Sequence, residues 1–177
     1  GLQFSDHVGR QAAWVEGYDL STYPGTVHQD GVKAMIDTIM GSPEPVTLIC
    51  IGPVPNIASA LEREPRIVER ARFVGMHGCL RKSPLEYRGG GGVVAEYNVA
   101  ANPKACQRVF TAPWDMTITP LDTCGFVKLE GERYQAVRRC NDPLVQALID
   151  NYRVWLRSER REWKEEFETR SSILFDT

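Results

Sequence analysis

The chain has 177 residues, of which 42% are hydrophobic and 25% charged, and its formal net charge at pH 7 is −2. This length and composition fit one soluble domain that can bury a hydrophobic core. The small negative charge predicts no nucleic-acid partner. No apolar run approaches the roughly 20 residues of a membrane span, so the sequence predicts no membrane partner either.

The cysteines are odd in number, and no two of them have the spacing of metal ligands. This pattern favours reduced thiols and a cytoplasmic location. Cys50 lies inside an apolar run and is interpreted as a small core residue. The five cysteines are Cys50, Cys79, Cys106, Cys124 and Cys140.

The first half of the chain alternates predicted helices and strands. Residues 1–29 have the composition of a loop. Residues 30–40 have apolar positions with helical spacing, with Asp30 as the N-cap and Gly41 as the stop. Residues 46–51 form a nearly continuous apolar run, which predicts a strand buried on both faces. Pro55 opens a further helix.

The pattern continues in the second half. Residues 66–72 predict one or two helical turns, 73–76 a second strand, and 79–95 a loop. A helix starts at Asn102, and residues 116–121 predict a third strand. Residues 143–156 predict an amphipathic helix, and residues 157–170 a solvated helix with charge pairs four residues apart. The apolar stripe predicted for residues 143–156 comprises Leu144, Ala147, Leu148, Tyr152 and Leu156.

This order of elements predicts an α/β fold with a mainly parallel open sheet and helices on both faces. Right-handed crossovers would bring the carboxyl ends of all strands to one edge, where ligands bind in such sheets. Three dipeptides, at 51–52, 76–77 and 121–122, follow or end the predicted strands. We therefore expect a ligand site at this edge.

Glu96 and Asn98 are the first candidates for that site. If residues 95–98 are extended, these two side chains point to one side and Tyr97 to the other. A carboxylate and an amide together can bind the neighbouring hydroxyls of a ribose. Spacing alone favours the plainer alternative of two ordinary surface residues, since polar pairs two apart are common.

Other polar residues near the strand ends have structural alternatives. His77 is a candidate acid or ligand, but a lone His is more often a hydrogen-bonded loop residue. Asp122 suits a turn or an N-cap as well as a site. The glycine run at residues 89–92 lacks the spacing of a phosphate-binding fingerprint and is interpreted as a mobile loop.

Several motifs in order resemble the inosine-uridine preferring nucleoside hydrolase family. Residues 46–60 are similar to the segment that usually reads V-T-L-x-x-x-G-P-L-T-N-I-A in the family, and residues 73–78 to its V-L-M-G-G. Residues 95–98 resemble A-E-F-N, residues 102–105 resemble D-P-E-A, and residues 120–122 match P-L-D. The resemblance runs from about residue 26 to residue 125, and together these motifs favour a functional role for Glu96 and Asn98.

The resemblance implies a calcium-dependent enzyme that cleaves the N-glycosidic bond of nucleosides with water, giving base and ribose in purine and pyrimidine salvage. Calcium accepts many oxygen ligands, including sugar hydroxyls and water. The resemblance assigns Glu96, Asn98 and Met76 to substrate binding. It assigns the backbone carbonyl of Ile51 and the carboxylate of Asp176 to calcium.

The chain departs from the family pattern in ways that affect catalysis. The Asp-rich D-x-D-P-G-x-D-D loop, which carries the catalytic base and most calcium ligands, is absent. Gly90 stands where the family has a ribose-binding Asn, and Phe175 stands where many members have the His that protonates the leaving base. We therefore expect these residues to be the middle of a longer nucleoside hydrolase, with no catalytic residue of their own and no activity alone. The best-matching part is residues 26–125, followed by a helical segment at 142–170.

Two other functions stay open on the sequence. One is a non-catalytic relative that binds nucleosides or sugars and has lost the metal. The other is an assembly subunit that uses the sheet edge as an interface. The family's members commonly form dimers or tetramers, so a homo-oligomer is a further expectation. The preferred base does not follow from the sequence.

Overall fold

The structure is a computed structural model that describes residues 6–84, 91–159 and 162–177. Its contacts divide the chain into two compact units. The larger comprises residues 27–127 with 173–177, and the smaller comprises residues up to 26 with 128–172. The predicted single domain stays a prediction.

The larger unit contains a parallel three-stranded sheet in the order β1-β2-β3. Leu48 of β1 lies opposite Phe73 of β2, which in turn lies opposite Met116 of β3. The parallel α/β class is therefore confirmed. The elements are α1 (Gly31–Gly41), β1 (Val46–Cys50), α2 (Pro55–Arg63), a 3₁₀ helix (Pro65–Glu69), β2 (Ala71–Met76), α3 (Tyr97–Ala101), α4 (Pro103–Phe110), β3 (Met116–Thr119) and α5 (Leu121–Cys124).

Side-chain caps fix the starts of the helices that flank this sheet. The Asp30 carboxylate accepts a hydrogen bond from the Lys33 amide at 2.9 Å, and the Asn102 side chain accepts one from the Ala105 amide at 3.0 Å. Each cap satisfies an amide that has no partner within its helix. Both predicted caps are confirmed, as is the start of α2 at Pro55.

One face of the sheet carries the core of this unit. Alternate residues of β1 and β2 pack with α1, α2 and α4, and Cys50 and Phe73 are buried there. Burial raises the pKa of the Cys50 thiol to about 12, as expected for a core thiol. On the other face, Thr47 and Arg72 are exposed and Ile49 is 69% exposed. The prediction that this strand is buried on both faces was therefore wrong, because its pleat turns every second side chain away from the helices.

Two predicted boundaries also differ from the structure. β2 begins at Ala71, inside the segment predicted as helical, and only Pro65–Glu69 is a 3₁₀ helix. β3 ends at Thr119, before the predicted end of the strand, because Pro120 is the N-cap of α5. A proline has no N–H to continue a strand ladder.

Asp122 organises the segment that follows β2. Its carboxylate accepts backbone hydrogen bonds from Leu80 at 2.7 Å, Arg81 at 2.6 Å and Lys82 at 3.1 Å. These bonds, led by that of Leu80, lower the pKa of Asp122. Asp122 lies within α5, whose N-cap is Pro120, so its role is structural but differs from the predicted cap or turn: it ties α5 to the chain segment after β2.

The smaller unit is mainly helical. Two of its elements lie in the segment predicted as loop, so that prediction was wrong for residues 6–14 and 20–22. The elements are 3₁₀ helices at Asp6–Trp14 and Leu20–Thr22, and α6 (Gly131–Arg138), α7 (Pro143–Glu159) and α8 (Trp163–Thr169).

The predicted helix at residues 143–156 is confirmed, but its buried face differs from the predicted stripe. Ile149 and Leu156 are buried with Phe167, whereas Leu144 is 80% exposed and Leu148 is 62% exposed. Leu156 and Tyr152 of the predicted stripe do pack in this cluster. The sequence offers apolar residues on two adjacent faces of α7, and packing against α6 and α8 selects one of them.

Residues 157–170 were predicted to form a solvated helix, but α8 within this segment also contributes a buried residue to the core. Phe167 is buried, and the guanidinium groups of Arg138 and Arg153 lie over its ring at 5.3 Å and 5.0 Å. The charged residues of this segment therefore cover an aromatic anchor. None of the helices in the described ranges has the length and apolarity that crossing a bilayer requires.

We expect the two leucines of α7 to differ sharply in their contributions to stability. Leu156→Ala should lower the free energy of unfolding by about 2–5 kcal/mol because it opens a cavity in a fully buried site. Leu144→Ala, the matched control, should change it by no more than about 0.5 kcal/mol. Urea unfolding followed by circular dichroism measures both, and equal losses would contradict the packing described for α7.

We expect the stabilisation from Asp122 to depend on pH. Because the folded pKa is lowered, this contribution is present above the unfolded value of about 3.9 and is lost as pH falls through the folded pKa. Asp122→Asn should therefore lower the melting temperature at pH 7, and its difference from the wild type should shrink at an acid pH, below the unfolded pKa of about 3.9. Asp115→Asn, at another exposed carboxylate, is the control. A difference that is the same at both pH values would argue against the amide bonds as its source.

Candidate active site

A pocket of about 380 Å³ lies at the carboxyl edge of the sheet, within the larger unit. It is formed where the chain leaves each strand, joined by the start of α3 and by the last residues of the chain. All five residues assigned from the sequence to substrate or metal line it. The lining residues are Ile51, Gly52, Pro53, Met76, Glu96, Tyr97, Asn98, Leu121, Phe175 and Asp176.

Glu96 is the N-cap of α3 and is buried. Its Oε1 accepts a hydrogen bond from the Asn98 amide at 2.7 Å, and its Oε2 accepts bonds from Val99 at 3.1 Å and Gly78 at 3.0 Å. Gly78 has a φ of +85°, a conformation that glycine adopts without strain. The carboxylate thus joins the start of α3 to the turn after β2.

Asn98 lies in the first turn of α3 and is also buried. Its Nδ2 donates a hydrogen bond to the Met76 carbonyl at 2.9 Å, and Nδ2 lies 3.5 Å from the Met76 sulfur. The amide is therefore held against the carboxyl end of β2.

The prediction that residues 95–98 are extended was wrong. Glu96 is extended, but α3 begins at Tyr97, because the Glu96 carboxylate caps the next amides and so starts a helix. Glu96 and Asn98 nevertheless line one pocket, as predicted. Tyr97, which the extended geometry would turn away, lines it as well.

Apolar side chains form a second part of the pocket. Met76 and Leu121 are buried in a small cluster with Cys124, and the half-buried Phe175 packs against it. Leu121 was not predicted as a lining residue, although it stands in the segment 120–122 that marked the end of β3. Pro53, which follows the dipeptide 51–52 after β1, was likewise not predicted as a lining residue.

Asp176 adds a second carboxylate to the pocket. Although much of its surface is exposed, partial burial raises the pKa of Asp176, and the negative charge of Glu96 raises it further. The opposing influence of His77 is smaller. The site therefore brings two like charges close enough to interact, which costs free energy in the absence of a cation.

The other sequence candidates lie elsewhere. His77 is buried beside the pocket and does not line it, and burial lowers its pKa. Asp122 holds the segment after β2, as described above. Gly90 lies outside the described residues, and the predicted glycine loop is described only at Gly91 and Gly92, outside helices and strands.

The pocket residues fit part of a calcium site. Calcium takes six to eight oxygen ligands, and the pocket contains Asp176, Glu96 and the backbone of Ile51. Among the residues that the structure describes, no group of three or more His, Cys, Asp or Glu side chains is arranged to hold a metal. Any further ligands would therefore be water, substrate or groups outside this set.

Known proteins resemble the chain over most of its length. A family model described as inosine-uridine preferring nucleoside hydrolase matches residues 8–176. The chain is 38% identical over 92 residues to an inosine-uridine preferring nucleoside hydrolase of Leishmania major, covering 51% of this chain and 28% of that protein. It is 30% identical over 153 residues to the non-specific ribonucleoside hydrolase RihC of Salmonella schwarzengrund, covering 81% and 48%.

Solved structures show the same fold. A plant nucleoside hydrolase aligns with a TM-score of 0.68 at 17% identity, covering 92% of this chain and 49% of that one. An inosine-uridine preferring nucleoside hydrolase from Bacillus anthracis aligns with a TM-score of 0.58 at 24% identity, covering 70% and 41%. The chain thus spans less than half the length of each of these four proteins. Because the family model covers nearly all of its residues, the chain belongs to the inosine-uridine preferring nucleoside hydrolase family.

Proposed function

We propose that this chain carries the ribose-binding part of a ribonucleoside hydrolase, an enzyme that cleaves the N-glycosidic bond of a nucleoside to base and ribose. The observation that carries the proposal is the convergence of Glu96, Asn98 and Asp176 on one pocket at the carboxyl edge of a parallel sheet. Membership of the nucleoside hydrolase family supports the same reaction class.

Glu96 would accept a hydrogen bond from a ribose hydroxyl. A carboxylate offers about four lone-pair positions, and three backbone amides use one each. Those amides also hold the carboxylate in place, so little side-chain freedom is lost when the sugar binds.

Asn98 and Met76 would complete the sugar contacts. The Asn98 Nδ2 donates to the Met76 carbonyl and, more weakly, to the Met76 sulfur, so a hydroxyl would replace the sulfur as acceptor or donate to the amide oxygen. The Met76 side chain, buried beside Leu121, offers an apolar surface to the ring.

The charge of the pocket suits the transition state of this reaction. Cleavage of a glycosidic bond builds positive charge on the sugar. The Glu96 carboxylate is held by three amides before that charge develops, and Asp176 adds a second negative charge, so the attraction strengthens in the transition state.

A calcium ion is part of the proposal, with Asp176 and the Ile51 carbonyl as its ligands in this chain. Bound calcium would polarise water and orient the ribose hydroxyls. The mutual repulsion of Asp176 and Glu96 supports a cation here, because a divalent ion would relieve it. In the family pattern the catalytic base belongs to the Asp-rich loop that these residues do not contain, so we expect the 177 residues alone to bind without cleaving.

A cytoplasmic salvage role goes with this proposal. The five cysteines are all free thiols in the structure, which supports a reducing compartment. The expected homo-oligomer stays a prediction.

We expect Glu96→Gln to weaken ribose binding roughly ten- to a hundredfold, because a hydrogen bond to a charged group contributes about 1.5–3 kcal/mol. Titration calorimetry with ribose, inosine and uridine measures the affinities, and liberation of base is followed in the same samples. Glu44→Gln, an exposed residue before β1, is the matched control and should bind like the wild type. Gln keeps one acceptor for the cap of α3, and circular dichroism checks that the fold is retained. Unchanged affinity in Glu96→Gln would remove its assigned role.

We expect calcium to tighten ribose binding, and Asp176→Asn to abolish most of that tightening while leaving the weak calcium-free affinity in place. The reason is that Asn retains a neutral oxygen but loses the negative charge that attracts the ion. Calorimetry with and without calcium, and with magnesium as the control ion, measures the effect. Equal affinity with and without calcium would favour a metal-independent sugar-binding protein.

A further inference from the structure

His77 is a buried histidine with one satisfied and one unsatisfied ring nitrogen. Its Nε2 lies 3.1 Å from the carbonyl oxygen of Gly52. A carbonyl only accepts, so Nε2 must carry the hydrogen and Nδ1 must be the bare nitrogen. Within the described ranges, Nδ1 is a buried atom with no hydrogen-bond partner. Because such a group costs free energy, its retention calls for a compensating contact.

The ring of His77 is held by aromatic neighbours on the core face of the sheet. Its centroid is 5.7 Å from that of Phe73 and 5.4 Å from that of Phe110, the latter edge to face. Nε2 of the imidazole faces the turn after β1. The imidazole therefore bridges the end of β2 and the turn that follows β1.

Gly75 makes room for this ring. A Cβ atom on Gly75 would lie 2.8 Å from the His77 Nδ1 and 2.6 Å from a ring carbon of Phe73. Real Cβ contacts are not that short, so any larger residue at 75 would displace the rings of Phe73 and His77. Residues 75 and 77 lie two apart and therefore project from the same side of the chain.

The imidazole at 77 thus occupies space that a side chain at 75 would take. It also supplies a hydrogen-bond donor that an apolar side chain at 75 would not have.

The Nε2–H of His77 donates to the rim of the pocket, by which we mean residues 51–53. Ile51, Gly52 and Pro53 line the site, and the Gly52 carbonyl is the group that His77 holds. Pro53 and Pro55 have no N–H, so backbone amides cannot anchor the turn at those positions.

We propose that His77 is a positioning residue for the pocket: through Nε2–H it holds the Gly52 carbonyl and so sets the place of the 51–53 rim, and Gly75 is the partner that lets its ring fit. The role in ligand binding rests on the proposed function, whereas the anchoring of the turn does not.

The test compares His77→Phe, His77→Gln, Gly75→Leu and the double variant Gly75→Leu/His77→Gly. Nuclear magnetic resonance reports the His77 tautomer, the Gly52 carbonyl shift and the backbone order parameters of Ile51, Gly52 and Val54. Thermal unfolding reports stability, and calorimetry reports ribose affinity.

We expect His77→Phe to fill the space but to lower the order parameters of the turn and to weaken ribose binding about tenfold, the loss of one hydrogen bond. His77→Gln, whose Nε2 also donates, should restore part of both. Gly75→Leu should lower the melting temperature, and the added His77→Gly should recover part of the loss, because it removes the imidazole but not the Phe73 ring, while the turn stays mobile. A residue that only packs would change the melting temperature and the order parameters of the turn together, so recovery of one without the other identifies the hydrogen bond as the cause.

An unchanged turn in His77→Phe, a proton on Nδ1, or no recovery by the double variant would each overturn the proposal. If neither the wild type nor the variants bind ribose, the proposed function fails, yet the tautomer, the turn and the recovery of stability still decide the role of His77.

Discussion

The pocket depends on one buried carboxylate. Glu96 accepts three backbone amides, two from the start of α3 and one from Gly78 after β2. Without it the first turn of α3 loses its cap, and the segment that carries Asn98 loses its link to the sheet. The charge is buried at low cost because the amides satisfy it. A residue assigned to ligand binding is therefore also the element that shapes the site.

Around this carboxylate the pocket combines polar groups that are held in place with the negative charges of two interacting carboxylates. Asn98 is fixed to the end of β2, and the Gly52 turn is fixed to His77. Asp176, by contrast, is partly exposed and carries a raised pKa beside Glu96. Fixed donors and acceptors suit recognition of a sugar, and a pair of interacting carboxylates suits a cation or a sugar that gains positive charge. The two properties support the same function by independent routes.

Local patterns predicted the helices and strands, whereas contacts within the folded chain decided their exact conformation and their buried faces. The strands, the caps Asp30 and Asn102 and the meeting of Glu96 with Asn98 follow from apolar runs, cap residues and ordered motifs. The extended form of residues 95–98 was wrong because a carboxylate can cap a helix as readily as it can line a strand. The stripe predicted on α7 holds for Tyr152 and Leu156 and was wrong for Leu144 and Leu148, because apolar residues occur on two faces and packing against α6 and α8 decides which is buried.

By itself the sequence determined the parallel α/β class, the edge at which the site lies and the family of the chain, since all three depend on the order of local patterns. Only the tertiary structure decided how the site is held: that the Gly78 amide binds Glu96, that Asp122 binds the segment after β2, and that the His77 ring, for which Gly75 leaves room, binds the Gly52 carbonyl. These contacts join residues that lie 18, 42 and 25 positions apart. No local spacing encodes them, because they exist only once the strands have paired.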